Sequence, residues 1–267
     1  MIEIAPGVHA VVNRVELDGR VSWVPAGRRG REPACVYLID CGGEALLYDT
    51  GLPAHREAVL DELRRALGGR RLGIWLSRMV EPDSTGNALA LLEALPVHRV
   101  LNATHTDPLR MLTHRWREFG PDRGVSVERL PWGRRFRLGE REFEPVQPAA
   151  RVIATSWLYD PTAKVLFTSD FFGHLARSNG DESPVATTSE PAPTAAEIGE
   201  HLMAKYEWLA DADTGPIRRR LETIFAEHEV EVIAPGHGCV IRGAEAVRQH
   251  LALTLEALRE LGERAAL

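Results

Sequence analysis

Short apolar runs broken by glycine, proline and acidic turns set the rhythm of the first hundred residues. Val8 to Val12, Cys35 to Ile39 and Ala45 to Tyr48 predict strands, the last two separated by a Cys41-Gly42-Gly43 turn. Arg56 to Leu67 spaces Val59, Leu60, Leu63 and Leu67 at helical period and stops at Gly68-Gly69. Ile74 to Leu76 predicts another strand and Ala88 to Leu95 a short helix ended by Pro96. Arg99 to Asn102 begins the next strand.

The middle of the chain has a different texture. Val125 to Leu130, Arg135 to Leu138, Phe143 to Val146, Val152 to Trp157 and Lys164 to Thr168 predict antiparallel strands, with Asp160-Pro161 turning the chain before the last. Ser178 to Ala195, rich in Ser, Thr, Pro and acidic residues, predicts a surface loop able to serve as a lid. Helices over Ala196 to Leu209 and Pro216 to His228, a strand over Val230 to Ala234 and an amphipathic C-terminal helix complete the series. The last helix carries Val247, Leu251, Leu255 and Leu258 on one face. This order suits an α/β fold of the αββα sandwich type, and no linker divides residues 1–267 into more than one domain.

Composition narrows the function. The 267 residues are 44% hydrophobic and 26% charged, ordinary for a globular protein, and a formal charge of -6 argues against broad nucleic-acid binding. Of 32 basic residues only Lys164 and Lys205 are lysine, leaving 32 - 2 = 30 arginines, whose short runs read as solvated faces. Cys35, Cys41 and Cys239 show no CxxC spacing and suggest no disulfide framework. No signal-peptide pattern and no membrane-spanning run stands in the sequence, so a cytoplasmic address without membrane or nucleic-acid partners is expected.

Four polar features fall where strands run out: Asp49, the Glu81/Asp83 pair, Asp170 and His237 in a Pro-Gly-His-Gly turn. Carboxylates and imidazoles from several strand ends can converge on a cation, which relieves their mutual repulsion. Each alone has a plainer reading, an aspartate as a turn or cap residue and the histidine as incidental to a glycine turn.

Order and spacing together resemble the metallo-β-lactamase superfamily: "LYDTGL" (Leu47 to Leu52), a metal loop about 30 residues later, then "LFTSD", then "VIAPGHG". Within it the chain is most similar to the oxygen-binding diiron branch, the flavodiiron proteins and their stand-alone relatives. "VEPDSTGNALALLEALP" resembles their HxExDH loop and the helix after it, and "KVLFTSDFFGH" the segment with their bridging aspartate. The resemblance implies an αββα fold and a metal-dependent activity. The flavodoxin domain of flavodiiron proteins is not found in these residues, so FMN is not expected.

Carried over position by position, the loop's His, Glu, Asp and second His fall on Met79, Glu81, Asp83 and Ser84. The next family histidine falls near Arg151, the bridging aspartate on Asp170 and the last histidine on His237. Three imidazoles are missing. One metal position keeps Glu81 and a share of Asp170, with Arg151 able to supply a positive charge there and pair with Glu81. The other keeps Asp83, Asp170 and His237, a set of hard oxygens and one imidazole that suits Fe, Mn or Zn. His174 is a candidate substitute ligand or a hydrogen-bond donor to a ligand. Met79 reads as core filling and Cys239 as a small buried apolar residue. "THTDPLRMLTH" (Thr104 to His114) imitates a zinc-hydrolase string but lies too far from Asp49 to be the first metal loop, leaving His105 as a candidate pocket residue.

The expectation is a redox protein with one metal ion, iron favoured, that binds or activates dioxygen or a small organic substrate. Asp83, Asp170 and His237 would hold the ion, Glu81 would orient it or act as a base, and Arg151 would recognise an anionic group. An electron donor and a second copy of the chain are candidate partners. A hydrolase of esters, lactones or thioesters is the runner-up, and a non-enzymatic sensor without a functional metal is the third reading.

Overall fold

The computed structural model describes residues 1–104, 108–177 and 182–265, which group into two compact units. The first comprises 1–13, 34–147 and 153–163, and the second 14–33, 148–152 and 164–265.

The first unit is built on a sheet with strands in sequence order. These are β1 (Ile2–Ala5), β2 (Val8–Leu17), β3 (Gly30–Asp40), β4 (Glu44–Tyr48), β5 (Arg71–Trp75), β6 (Val97–Asn102) and β7 (Ser126–Arg129). The outer ends of β2 and β3 belong to the second unit. β3 and β4 pair antiparallel and β4 through β7 are parallel, joined by helices. Between them lie α1 (Arg56–Leu67), α2 (Pro82–Thr85), α3 (Ala88–Ala94), α4 (Pro108–Leu112) and α5 (Trp116–Phe119). α1 matches its predicted span and ends at Gly68 in the left-handed conformation that a side chain resists. Its buried Val59, Leu60, Leu63 and Leu67 join Val36, Leu38, Leu47, Ile74, Leu91 and Leu92 in one core. Met79 is part of that core as well.

The sheet's other face meets an antiparallel meander of β8 (Phe136–Leu138), β9 (Arg141–Val146) and β10 (Trp157–Asp160). Trp75 and Phe136 stack with centroids 5.7 Å apart, and a Cβ on Gly73 would sit 3.0 Å from Leu138. The strand expected over Val152 to Trp157 starts only at Trp157. Its lead-in is spent on the loop after β5: Ser156 N–H donates to Ser77 O at 2.8 Å, and Thr155 bridges to Arg78.

The second unit carries four strands in the order β12 (Val185–Ala186), β14 (Val240–Arg242), β13 (Val232–Pro235) and β11 (Val165–Ser169). β11 and β13 are parallel neighbours, so their C-terminal ends lie side by side. Its helices are α6 (Ala195–Lys205), α7 (Gly215–Glu227) and α8 (Ala244–Ala265). α6 starts at a capping box between Thr194 and Glu197. It stops four residues before the predicted end, because Tyr206 leaves the helical region and a short 3-10 turn follows over Glu207–Asp211. That break leaves Lys205 as the helix's last residue.

Candidate metal centre

In the first unit the loop after β5 is moulded onto the Asp49-Thr50-Gly51 turn. Thr50 N–H and Oγ1 both donate to Ser84 O, at 3.0 and 2.8 Å, and Gly51 N–H donates to Asp83 O at 2.7 Å. Asn87 closes the arrangement, its Nδ2 donating to the carbonyls of Thr50, Gly51 and Leu52. Gly51 has φ +80° and a Cβ there would press on Val36 and Val59, which is why the turn reads DTG. Val80, a β-branched residue at φ +70°, stores strain at the apex of the loop, a conformation kept only where the surroundings enforce it.

Asp49 is buried and accepts from Ser77 N–H at 2.8 Å, from Ser77 Oγ at 2.6 Å and from Ser84 Oγ. Burial pushes its carboxyl up to about 6, against the Arg78 guanidinium and the two serine hydrogen bonds, with Asp83 adding to the rise. Ser84, which stands where the family loop has its second histidine, is fully buried and bound to Asp49 and to the Arg78 N–H.

Arg78 went unnoticed in the sequence and is the decisive residue of this loop. Its side chain is 1% exposed and its Nη2 pairs with Asp83 Oδ2, where Asp83 is 12% exposed. A guanidinium thus sits on one of the two carboxylates that the motif offers a metal. The sequence held a clue: Arg78 stands between the apolar run Leu72–Leu76 and Met79-Val80, and a charge so placed needs a partner within reach. Glu81 is half-buried at the start of α2, and Arg151, in the second unit, is exposed.

In the second unit Asp170 and His237 follow the adjacent ends of β11 and β13, and a donor atom of each lies within 4.8 Å of the other. Two glycines allow this approach. A Cβ on Gly173 would stand 2.6 Å from His237 O, and one on Gly238, at φ +84°, would stand 2.5 Å from Gly173 O. Gly236 N–H donates to Ser169 O at 2.6 Å, tying the two turns together.

Behind His237 lies Glu32, fully buried, with Oε2 3.5 Å from His237 Nδ1 and accepting from Trp23 Nε1 at 2.6 Å. The Trp23 ring also packs on the imidazole, centroids 4.8 Å apart. On the other side Lys205 Nζ stands 3.0 Å from Asp170 Oδ2, both side chains mostly covered, and 5.9 Å from the centre of the Trp23 ring. Glu32, Trp23 and Lys205 were not anticipated from sequence.

His174 does not join Asp170 and His237 among the described residues. Its Nε2 is hydrogen-bonded to His250 Nδ1 at 3.0 Å, and its ring lies edge-on to His201. Burial holds all three imidazoles below the usual range: His174 well below it, next to His250 and His201, and His201 down to about 4. Cys35, Cys41 and Cys239 are buried and form no disulfide among the described residues, and burial pushes the thiols of Cys41 and Cys239 up to about 12. His105 lies outside the described residues.

Asp170 and His237 offer a metal ion one carboxylate and one imidazole. A dinuclear centre needs imidazoles that Met79 and Ser84 do not supply, and both of those side chains are committed elsewhere. Asp170 and His237 remain adjacent, and a carboxylate behind a histidine is the usual support of a ligating imidazole.

A family model described as ODP family beta lactamase matches residues 33–238. No curated protein matches the chain. Among solved structures, rubredoxin oxygen:oxidoreductase from the anaerobe Desulfovibrio gigas superposes with a TM-score of 0.69 at 18% identity, covering 96% of this chain. The chain spans 61% of that protein's length. A fragment of a putative diflavin flavoprotein from Nostoc sp. gives 0.67 at 15% identity, covering 99% of this chain and 95% of the fragment. A metallo-beta-lactamase from Pontibacter korlensis gives 0.59 at 16% identity, covering 96% of this chain and 97% of that one. These likenesses show the fold, and it is the metallo-β-lactamase fold, in the form shared with flavodiiron cores.

Proposed function

Since the chain belongs to the ODP family of beta lactamases, we propose that it is a metal-dependent redox protein that carries a single ion, iron favoured. The observation behind this is the pairing of Asp170 with His237 at two neighbouring strand ends, with Glu32 backing the imidazole. Asp83 and Glu81 are the further donors that the loop motif nominates. The similarity to an oxygen:oxidoreductase favours dioxygen, or a small organic molecule, as the substrate, with an external electron donor.

When bound, iron would supply a redox centre, whereas zinc would supply a Lewis acid suited to ester, lactone or thioester hydrolysis. The protein's own residues prepare the position. Glu32 and Trp23 pack against the His237 ring, and Lys205 pairs with the Asp170 carboxylate.

Protein produced in iron-replete medium is expected to contain up to one equivalent of Fe, Mn or Zn. That content should be lost in Asp170→Ala and His237→Ala variants that still melt cooperatively. Two equivalents per chain, or metal retained in both variants, would refute the reading. A second reading, with no functional ion, draws on the cations already paired with Asp83 and Asp170. Metal-free protein from iron-replete, zinc-replete and manganese-replete cultures alike would establish it.

A further inference from the structure

Resting on the single-ion reading, we infer that the ammonium group of Lys205 takes the place of a second metal ion on Asp170. In the related diiron loop pattern the residue at this position bridges two metals, so its carboxylate faces two cations at once. Here Lys205 Nζ lies 3.0 Å from Oδ2 of Asp170, in a setting where the two side chains are only 15% and 13% exposed.

The placement is built into the fold. α6 ends at Lys205 because Tyr206 turns out of the helix, its N–H making the last bond to Leu202 O at 2.7 Å. The ammonium also stands 5.9 Å from the centre of the Trp23 ring, whose N–H is fixed on Glu32. A cation over an indole face in a covered site is held electrostatically as well as by its salt bridge.

Residue choice points the same way. In a chain with 30 arginines and two lysines, lysine stands at this position. An ammonium is a compact, strongly hydrated point charge, closer to a metal ion in shape than the planar guanidinium fork. The other lysine, Lys164, bridges two glutamates at the surface, Glu229 and Glu231. A tethered cation cannot be chelated, so Asp170 is neutralised and oriented before any ion arrives. The same charge opposes a second divalent ion. Even with the dielectric of water, a unit charge about 4–6 Å from a divalent ion weakens its binding by roughly tenfold to thirtyfold.

The test measures Mn2+ and Zn2+ binding to the full chain by equilibrium dialysis, with melting temperatures recorded in chelator and with each ion. Lys205→Gln and Lys205→Met are compared with the wild type and with the charge-preserving Lys205→Arg. The neutral variants are expected to bind the ion roughly tenfold to thirtyfold more tightly, or to take up one more, whereas Lys205→Arg keeps the charge and the wild-type affinity but melts lower in chelator, because its planar fork fits the position less well. In chelator the neutral variants should melt lower than wild type and gain more from added ion. Equal affinity, equal stoichiometry and equal ion-induced shifts in the wild type and both neutral variants would overturn the inference. An ion bound by Lys205→Gln but not by the wild type would refute the single-ion reading and leave the role of Lys205 standing. One ion bound identically by both would do the reverse.

Discussion

Removing the Asp83 carboxylate gives a sharp measure of what the loop after β5 is for. In Asp83→Ala the Arg78 guanidinium, 1% exposed, loses the partner that its Nη2 now holds. Taking one member from a buried ion pair costs about 3–5 kcal/mol where the remaining charge has no other partner; Arg78 keeps the attraction of the Asp49 carboxylate, so that range is the upper bound here. For 267 residues an unfolding entropy of about 2.1 cal/mol/K per residue gives about 0.56 kcal/mol/K, so the melting temperature should fall by up to roughly 5–9 °C. The measurement is a thermal melt in excess chelator, where a purely metal-ligating aspartate would have no effect. Arg78→Met and the double variant complete a cycle. If the pair acts as a unit, the double variant is less destabilised than the sum of the singles by about 1 kcal/mol or more. An unchanged melting temperature for Asp83→Ala in chelator, or strict additivity, would show that Arg78 is held by something other than Asp83.

Two further outcomes concern buried titrating groups. Ser84→Ala removes a hydroxyl donor from the buried Asp49 carboxylate, with an expected cost of about 1.5–3 kcal/mol at pH 7.5. It should also move the Asp49 transition above its present value of about 6, seen as a stability-against-pH curve whose rise toward acid begins at higher pH. His201 acts in the opposite direction. Its folded value of about 4 lies below the ordinary 6.5, so both states are neutral above pH 6.5. As pH falls from 6.5 to 4 the unfolded chain takes up a proton that the folded one refuses, removing about 3 kcal/mol by pH 4. Urea midpoints should show a shallower acid limb for His201→Gln than for wild type, and coincident limbs would exclude His201 as the cause.

Most of the frame was legible in the sequence because it rests on patterns that local physics enforces. Helical spacing and a double glycine fixed α1, and the landmarks at Asp49, Asp170 and His237 fell at strand ends as expected. The fold class followed from their order. The cations of the site were not legible. Arg78 and Lys205 matter through what they touch, and contacts such as Lys205 with Asp170, 35 residues apart, follow from tertiary placement. Arg151 drew notice by alignment alone and is exposed, whereas the buried guanidinium is one position before the motif. Glu32 had a faint signal, an acidic residue ahead of the apolar run of β3. The absent strand before Trp157 shows the same limit, since its extended-looking residues serve as an anchor for a loop far away in sequence.

The clamp on the loop after β5 separates geometry from composition. Its main hydrogen bonds run from Thr50, Gly51 and Asn87 to main-chain carbonyls of Asp83, Ser84 and the Asp49–Leu52 segment, and backbone groups are the same whatever side chain they carry. The loop is therefore a socket whose pins can be exchanged while the socket keeps its form. A chain built this way can lose or regain histidines at positions 79 and 84 without first unlearning how to fold there, provided that Ser84's hold on Asp49 and the Arg78 N–H and Met79's place in the core are replaced.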